Sequence, residues 1–366
     1  MLMVMAEQGP EDRTPTPAHH ILLHAPLEAG ARQQAVRDGL APRLVMLDLA
    51  EELQAALHTP EGVQPTWLDR LLGLLIGGAE AWATARALAP QLSAHDSVFC
   101  ASESVGLPLA GVLQLRRARP RVTVFVHNAN RPRARLALWL LRLGHGVDVF
   151  LACSRTQVRF LRRTFRSDRT AVEFVGDSMD LDFFTPGPAR ATGRRPVVVS
   201  VGLEQRDYRS LAAATAELDV DVRISGVSVD SRRTGRALPP ELPANMTRRF
   251  YGWPELVQLY RDADVVVISL FDNDYAAGVQ ALMEAQACRR PVVVTATAGL
   301  EGYLDEGVLT VPPGDPVALR RAICSLLEDP AAAESLAERG YRVATARYRD
   351  EDYVRAVAGA TAARAA

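Results

Sequence analysis

The sequence predicts an α/β protein made of two parallel-sheet domains in tandem, and three observations carry that prediction. Short apolar runs alternate with longer stretches of helical period. The alternation occurs in two series. Between the series lies a stretch rich in proline, glycine and arginine, Thr185-Pro-Gly-Pro-Ala-Arg-Ala-Thr-Gly-Arg-Arg195, which has no periodicity and reads as an interdomain linker. At 366 residues, each half is long enough for its own core.

In the first series, strands are expected at 20–23, 44–47, 98–100, 122–126, 149–152 and 172–175, with helical stretches such as 67–92 and 156–165. The second series opens at Pro196-Val-Val-Val-Ser-Val-Gly202 and continues with strands at 221–225, 265–269, 292–295 and 309–311. The expected division is a disordered lead-in over 1–18, a first domain over 19–184, a linker over 185–195 and a second domain over 196–345. A closing helical segment follows over 346–366. Two such Rossmann-like domains bind ligands at the carboxyl ends of their strands, and facing each other they form a central cleft.

Composition narrows the function classes. An apolar fraction of 48% with 23% charged residues is that of an ordinary globular protein, and a net charge of −1 offers no global field to nucleic acid. No run of ~18 apolar residues lacks a charge, so no membrane-spanning helix is expected. The first 17 residues have neither a basic n-region nor an apolar h-region, so they do not read as a signal peptide. The four cysteines, Cys100, Cys153, Cys288 and Cys324, have no metal-ligand spacing and read as thiols of a cytoplasmic protein. There is no lysine, which excludes Schiff-base chemistry and a P-loop and leaves arginine to hold any phosphate. Charge is unevenly spread: residues 116–169 hold fourteen arginines against two acids. A solvated arginine face explains this, and so does an anionic partner such as a membrane surface met peripherally.

Four local patterns stand out, three of which carry chemistry. The first is Tyr275-Ala-Ala-Gly-Val-Gln-Ala-Leu-Met-Glu-Ala-Gln-Ala-Cys-Arg-Arg-Pro-Val-Val-Val294. A buried strand runs into a loop with Asp274 and Gly278, and a helix is expected to begin near Ala277 and to carry Val279. Helix N-terminal amides beside a glycine make a diphosphate seat. Glu284, two turns on, lies on an otherwise apolar helix, and a ribose diol would supply its partners. The second pattern, Val201-Gly-Leu-Glu-Gln-Arg-Asp-Tyr-Arg-Ser-Leu211, places Gly202, Arg206 and Arg209 after the first strand of the second domain. Cations there would suit a phosphate group held at the carboxyl end of the strand. The third, Val126-His-Asn-Ala-Asn-Arg131, sets His127 at a strand end. The fourth, Val175-Gly-Asp-Ser-Met-Asp-Leu-Asp-Phe-Phe-Thr-Pro186, reads as architecture: Phe183 and Phe184 anchor the linker and Asp180 turns it.

In this order, over about 21–357, the patterns resemble the retaining glycosyltransferases of family four, related to bacterial mannosyl- and sucrose-type synthases. The resemblance implies the GT-B fold, a nucleoside diphosphate sugar as co-substrate with no other cofactor, and retention of configuration. It implies an acceptor, of unidentified class, on the N-terminal domain and the donor on the C-terminal one. It gives His127 a catalytic role and makes Gly30, Gly202, Tyr251, Gly252, Gly278, Val279 and Glu284 donor-binding; where the chain departs from the family, Arg206 (catalytic as well as donor-binding), Arg209 and Asp274 are the expected donor-binding substitutes. It also makes 346–366 a helix crossing back to the first domain. The chain departs from the family at several points. Ala276 stands where the family has a first glutamate, Leu203 and Tyr208 where it has an arginine and a lysine, and only Gly30 remains of a usual glycine pair. Asp262 and Asp264 form an Asp-x-Asp, but Asp264 opens a buried strand, so no metal site is expected. Two other readings stay open: a nucleotide-sugar 2-epimerase on this scaffold, and a non-catalytic nucleotide-sugar-binding protein.

Overall fold

The structure, a computed structural model, describes residues 18–26, 29–165, 170–187, 193–226 and 237–362. The expected lead-in (1–17), the middle of the expected linker (188–192), Leu27 and Glu28 of the first loop, and 363–366 of the expected last helix lie outside the described residues.

Among the described residues, twelve strands form two six-stranded sheets in which the neighbouring strands pair parallel. The first contains β1 (His19–Leu22), β2 (Ala56–His58), β3 (Ser97–Cys100), β4 (Arg121–Val126), β5 (Val149–Ala152) and β6 (Ala171–Phe174), in the order β2-β1-β3-β4-β5-β6. The second contains β7 (Val197–Val201), β8 (Asp221–Ser225), β9 (Met246–Arg249), β10 (Val265–Ile268), β11 (Val292–Thr295) and β12 (Leu309–Val311), in the order β12-β11-β10-β7-β8-β9. Helices cover both faces of a parallel sheet, so its central strands read as unbroken valine runs. β7, β10 and β11 are buried along their whole length. Strand order reverses between β1 and β3 in one sheet and between β7 and β10 in the other. Loops leaving the carboxyl ends diverge at those points and open a crevice.

Three local expectations need correction. The apolar run at 44–47 is not a strand. It opens helix α2 (Val45–Leu53), whose buried Leu49 and Leu53 repeat at helical spacing; the strand of this region, β2, follows it. The helical stretch 67–92 is two helices, α3 (Trp67–Gly73) and α4 (Gly78–Leu88), broken at Gly77 and Gly78. Both glycines have positive φ, 80° and 75°, which the left-handed region reserves largely for glycine. β9 was absent from the expected strands because Met-Thr-Arg-Arg at a sheet edge lacks an apolar run.

The two domains are tied together. The last helix, α13 (Asp350–Ala362), packs Tyr353, Val354, Val357 and Ala358 on Ile21, Phe99, Phe125 and Leu151 of the first sheet. Asp180 turns the chain before the linker, accepting from the N–H groups of Asp182 (3.1 Å) and Phe183 (3.3 Å) and from Arg43 N–H (2.8 Å). Phe184 is buried with its ring edge-on to Tyr260, 6.4 Å between centroids. Buried Tyr303 of the second domain donates to the Cys153 carbonyl after β5 (2.9 Å) and accepts from the Asp177 N–H (3.0 Å). Tyr303→Phe strands both backbone groups and is expected to destabilise the protein by about 1–3 kcal/mol. An unchanged denaturation midpoint would show that this hydroxyl does not hold the domains together.

Candidate functional site

The site forms where the second sheet reverses strand order. The loop after β7 and the loop after β10 are stitched by Asp207 N–H to Ser269 O and Phe271 N–H to Gln205 O, both 2.9 Å, with Arg206 bridging Leu270. Arg206 is 4% exposed; its Nε donates to Val201 O (2.8 Å) and its Nη1 to Glu204 O (3.0 Å). The guanidinium lies between two glycines of positive φ, Gly202 (105°) and Gly278 (89°). A Cβ on Gly202 would collide with it, and one on Gly278 would lie 3.0 Å from Ile268 and 3.3 Å from Arg206 Nη1. Among the described residues, Arg206 has no ion-pair partner.

Gly278 is the N-cap of helix α10 (Val279–Ala287), which begins two residues later than Ala277 because the left-handed glycine precedes it. Glycine brings no side-chain oxygen, so the first-turn amides have no side-chain cap. A buried cation and the positive end of a helix dipole therefore meet at one point, which favours an anion there.

On the second turn of α10, Glu284 is buried, and its Oε2 accepts from the Tyr260 hydroxyl at 2.6 Å. Tyr260 lies on helix α9 (Trp253–Asp262). Among the described residues, no other hydrogen bond reaches this carboxyl. Burial raises its pKa to about 7, against the opposing pull of the Tyr260 hydrogen bond and the Arg206 charge. The folded protein thus holds a proton that the unfolded chain releases nearer 4.5, the ordinary value. Stability from this group falls as pH rises through that window, by roughly 3 kcal/mol in all. Glu284→Gln should lack this slope when urea unfolding is compared between about pH 5 and about pH 8. Parallel pH profiles would contradict the protonation assigned here.

The facing wall comes from the first domain. Helix α5 (Glu103–Leu113) follows β3, and its first residue, the buried Glu103, accepts from His127 N–H (3.0 Å), Asn128 N–H (3.1 Å) and Arg131 Nη2 (3.2 Å). The half-exposed His127 ring sits just past β4 with Nδ1 3.7 Å from Glu103 Oε2. Burial raises the Glu103 pKa, but the His127 ring and the backbone N–H outweigh it and hold the carboxyl down at about 2. For His127, burial lowers the pKa and Glu103 outweighs it, helped by the charges of Asp177 and, across the cleft, Glu204; the net shift is upward. Glu204 in turn accepts from the Tyr275 hydroxyl (2.8 Å). Glu103→Gln is expected to lower the His127 pKa, read by proton NMR titration of the ring. An unmoved titration would remove Glu103 as the group that charges His127.

Gly202, Arg206, Gly278, Val279 and Glu284 are thus brought together, with His127 opposite. Other expected residues are not. Arg209, on helix α8 (Tyr208–Thr215), is exposed and donates from Nε to Leu238 O (2.9 Å), because its turn of the helix points away from the cleft. Gly30 lies in the first turn of helix α1 (Ala29–Arg37), exposed and with nothing within 4 Å of a Cβ, so no close approach requires glycine. Asp274 is engaged across the domains: its carboxylate accepts from Asn130 Nδ2 (2.6 Å) and its carbonyl from Gln157 Nε2 (3.2 Å). Ala276 packs its methyl among residues of both domains. Tyr251 lies under the Arg249 guanidinium, 3.8 Å to the ring centroid, and Gly252 caps α9 with its N–H donated to Glu255 (3.1 Å). Beside them Arg32 of α1 crosses the cleft to lie 4.8 Å over the Trp253 ring.

Sequence reasoning missed Glu103, Asp177, Glu204 and Tyr260. Glu103 had a signal: an acid in the first helical turn after a β-strand, at a carboxyl end. Tyr260 had none, since its 24-residue separation from Glu284 closes only in three dimensions. Among the described residues, no group of three or more His, Cys, Asp or Glu side chains is placed to hold a metal ion. Asp264 instead accepts from Val197 N–H (2.7 Å), and Asp262 from Gln258 (2.8 Å).

Comparison with known proteins bears on this geometry. Residues 196–329 match the family model described as Glycosyl transferases group 1. A D-inositol 3-phosphate glycosyltransferase of Corynebacterium urealyticum is 31% identical over 219 residues, 52% of this chain and 51% of the relative. One of Kineococcus radiotolerans is 31% identical over 232 residues, 53% and 52%. The chain spans about half the length of the curated relatives it matches. Among solved structures, HepE of Anabaena in complex with UDP aligns with a TM-score of 0.67 at 15% identity, over 94% of this chain and 99% of that one. Sucrose-phosphate synthase of Thermosynechococcus elongatus aligns with 0.68 at 19% identity, over 93% and 97%. The fold is therefore GT-B: two Rossmann-like domains facing a cleft.

Proposed function

We propose that this chain, whose residues 196–329 match the family model described as Glycosyl transferases group 1, moves a sugar from a nucleoside diphosphate sugar to an acceptor held by its N-terminal domain. The observation that carries the reading is Arg206: a buried guanidinium without an ion pair among the described residues, set between Gly202 and Gly278 at the start of α10, which has no side-chain cap. A diphosphate supplies the missing negative charge and accepts from the first-turn amides. The ribose diol then reaches Glu284, two turns along the same helix, and its hydroxyls favour the charged form of that carboxyl. As the sugar leaves, charge builds on the departing phosphate, where Arg206 and the helix dipole are fixed in advance.

His127, across the cleft with its upward-shifted pKa, can donate to the sugar or to the leaving oxygen. Attack from the side of the leaving phosphate would retain configuration. We place the acceptor against the first domain, beside Glu103 and Asn128. The complexes of HepE with UDP and UDP-glucose make uridine nucleotides the first donors to test.

One observation favours a second reading. Glu103, Asp177 and Glu204 all act on His127, and such an acid–base group suits a nucleotide-sugar 2-epimerase, which would release nucleotide with no acceptor present. Nucleotide release that depends strictly on an added acceptor rules this out.

Glu284→Gln keeps one acceptor oxygen and should weaken UDP binding by roughly 1.5–3 kcal/mol in titration calorimetry. His127→Ala should leave UDP affinity within a few-fold and lower kcat strongly. Wild-type affinity in the Glu284 variant would contradict the donor site proposed.

A further inference from the structure

The first domain exposes large apolar side chains where a monomer would bury them. Among the described residues, fourteen large hydrophobics are exposed, and seven of these lie on two neighbouring walls. Trp67 (76% exposed), Leu68, Leu71 and Leu74 (70%) belong to α3 and the turn after it. Leu136, Trp139 (76%) and Leu140 belong to helix α6 (Pro132–Leu140), whose other face buries Ala134, Ala137 and Leu138.

Between the turn after α3 and the first turn of α6 runs a groove of about 570 Å³, lined by Leu74, Leu75, Ile76, Pro132 and Ala134. Glu103, Asn128 and Arg131 also line it, and Glu103 is the carboxylate that accepts from the His127 N–H, so the groove lies beside the His127 wall of the cleft. The exposed rim carries Arg133 and Arg135. Neither has an ion pair among the described residues; Arg135 lies 5.9 Å over the Phe160 ring.

Exposed tryptophans flanked by unpaired arginines match the boundary of an anionic bilayer, where indole rings sit at headgroup level and arginines meet phosphates. A protein partner would leave the arginine charges to be matched separately. We propose that α3 and α6 dock this domain on an anionic lipid surface, and that the groove between them admits the apolar part of a lipid acceptor, its polar end directed to His127. The proposal rests on the transferase reading for the role of the acceptor, but not for the docking.

The test is sedimentation with mixed phosphatidylglycerol–phosphatidylcholine vesicles against phosphatidylcholine alone, at low and high salt, with the UDP-induced thermal shift measured on the same preparations. The wild type should prefer the anionic vesicles, and salt should weaken that preference. Arg133→Gln with Arg135→Gln should weaken binding roughly thirtyfold, from about fivefold per arginine removed at the surface. Trp67→Ala with Trp139→Ala should weaken binding to both vesicle types. Both variants should keep the melting temperature and the UDP shift of the wild type. Equal retention by anionic and neutral vesicles would overturn the proposal. So would a concentration-dependent dimer lost in the tryptophan variant, which would assign the face to a second copy of the chain. Loss of the UDP shift in wild-type protein that still binds vesicles would fault the donor site and leave the docking intact.

Discussion

A guanidinium cannot be buried without acceptors, and Arg206 at 4% exposure finds them in the backbone of its own loop. That constraint sets the geometry of the donor side. Gly202 must turn with positive φ and carry no Cβ, because the side chain folds back over it. Gly278 must do the same, since the guanidinium and Ile268 occupy the space beside its Cα. The left-handed Gly278 then fixes where α10 begins, and the start of α10 fixes where Glu284 falls. What the loop does not supply is a counter-charge. The Arg206 charge acts on the Glu284 carboxyl, and burial holds that carboxyl partly protonated near neutral pH. Among the described residues Arg206 has no ion-pair partner, and the positive end of the α10 dipole adds to its charge, the electrostatic condition for binding a diphosphate.

The opposite wall is charged in a complementary way. Glu103 is locked as a carboxylate by two backbone N–H groups, Arg131 and His127, and it shifts His127 toward the charged form. The domains already touch through Asn130 and Asp274, Gln157 and the Asp274 carbonyl, and Arg159 with Glu301 (2.6 Å). Asp274 spends its carboxylate on this contact, and Ala276 offers only a methyl where the family has a glutamate. Under the proposed function, sugar recognition would fall to other groups of the second domain, such as Glu204 and Tyr275, which are hydrogen-bonded to each other.

The fold was legible wherever one period dominated. Valine runs at β7, β10 and β11 could only be strands buried on both faces, and the strand–glycine–helix pattern located the donor loop to within two residues. Legibility failed where short segments fit two periods. The run 44–47 suits a strand until Leu49 and Leu53 extend it at helical spacing. Met246–Arg249 has no apolar signature because it lies at an edge. For the site, glycine and charge at strand ends pointed to Gly202, Arg206, Gly278, Glu284 and His127. Arg209 was included for nearness in sequence, but three residues along a helix turned it to solvent. Tyr260 and Asp177 reach the site only through packing between distant elements, which no local pattern encodes; Glu204 lies on the Arg206 loop itself, but its action on His127 across the cleft appears only in the fold.

The claim on which the rest depends is that Arg206, the start of α10 and Glu284 form one nucleoside diphosphate site. A crystal structure of the chain with UDP tests it most directly. The expected result has the diphosphate on the first-turn amides of α10 beside Arg206, and the ribose hydroxyls on the Glu284 oxygen that Tyr260 leaves open. A nucleotide bound elsewhere, or a ribose that makes no contact with Glu284, would contradict it.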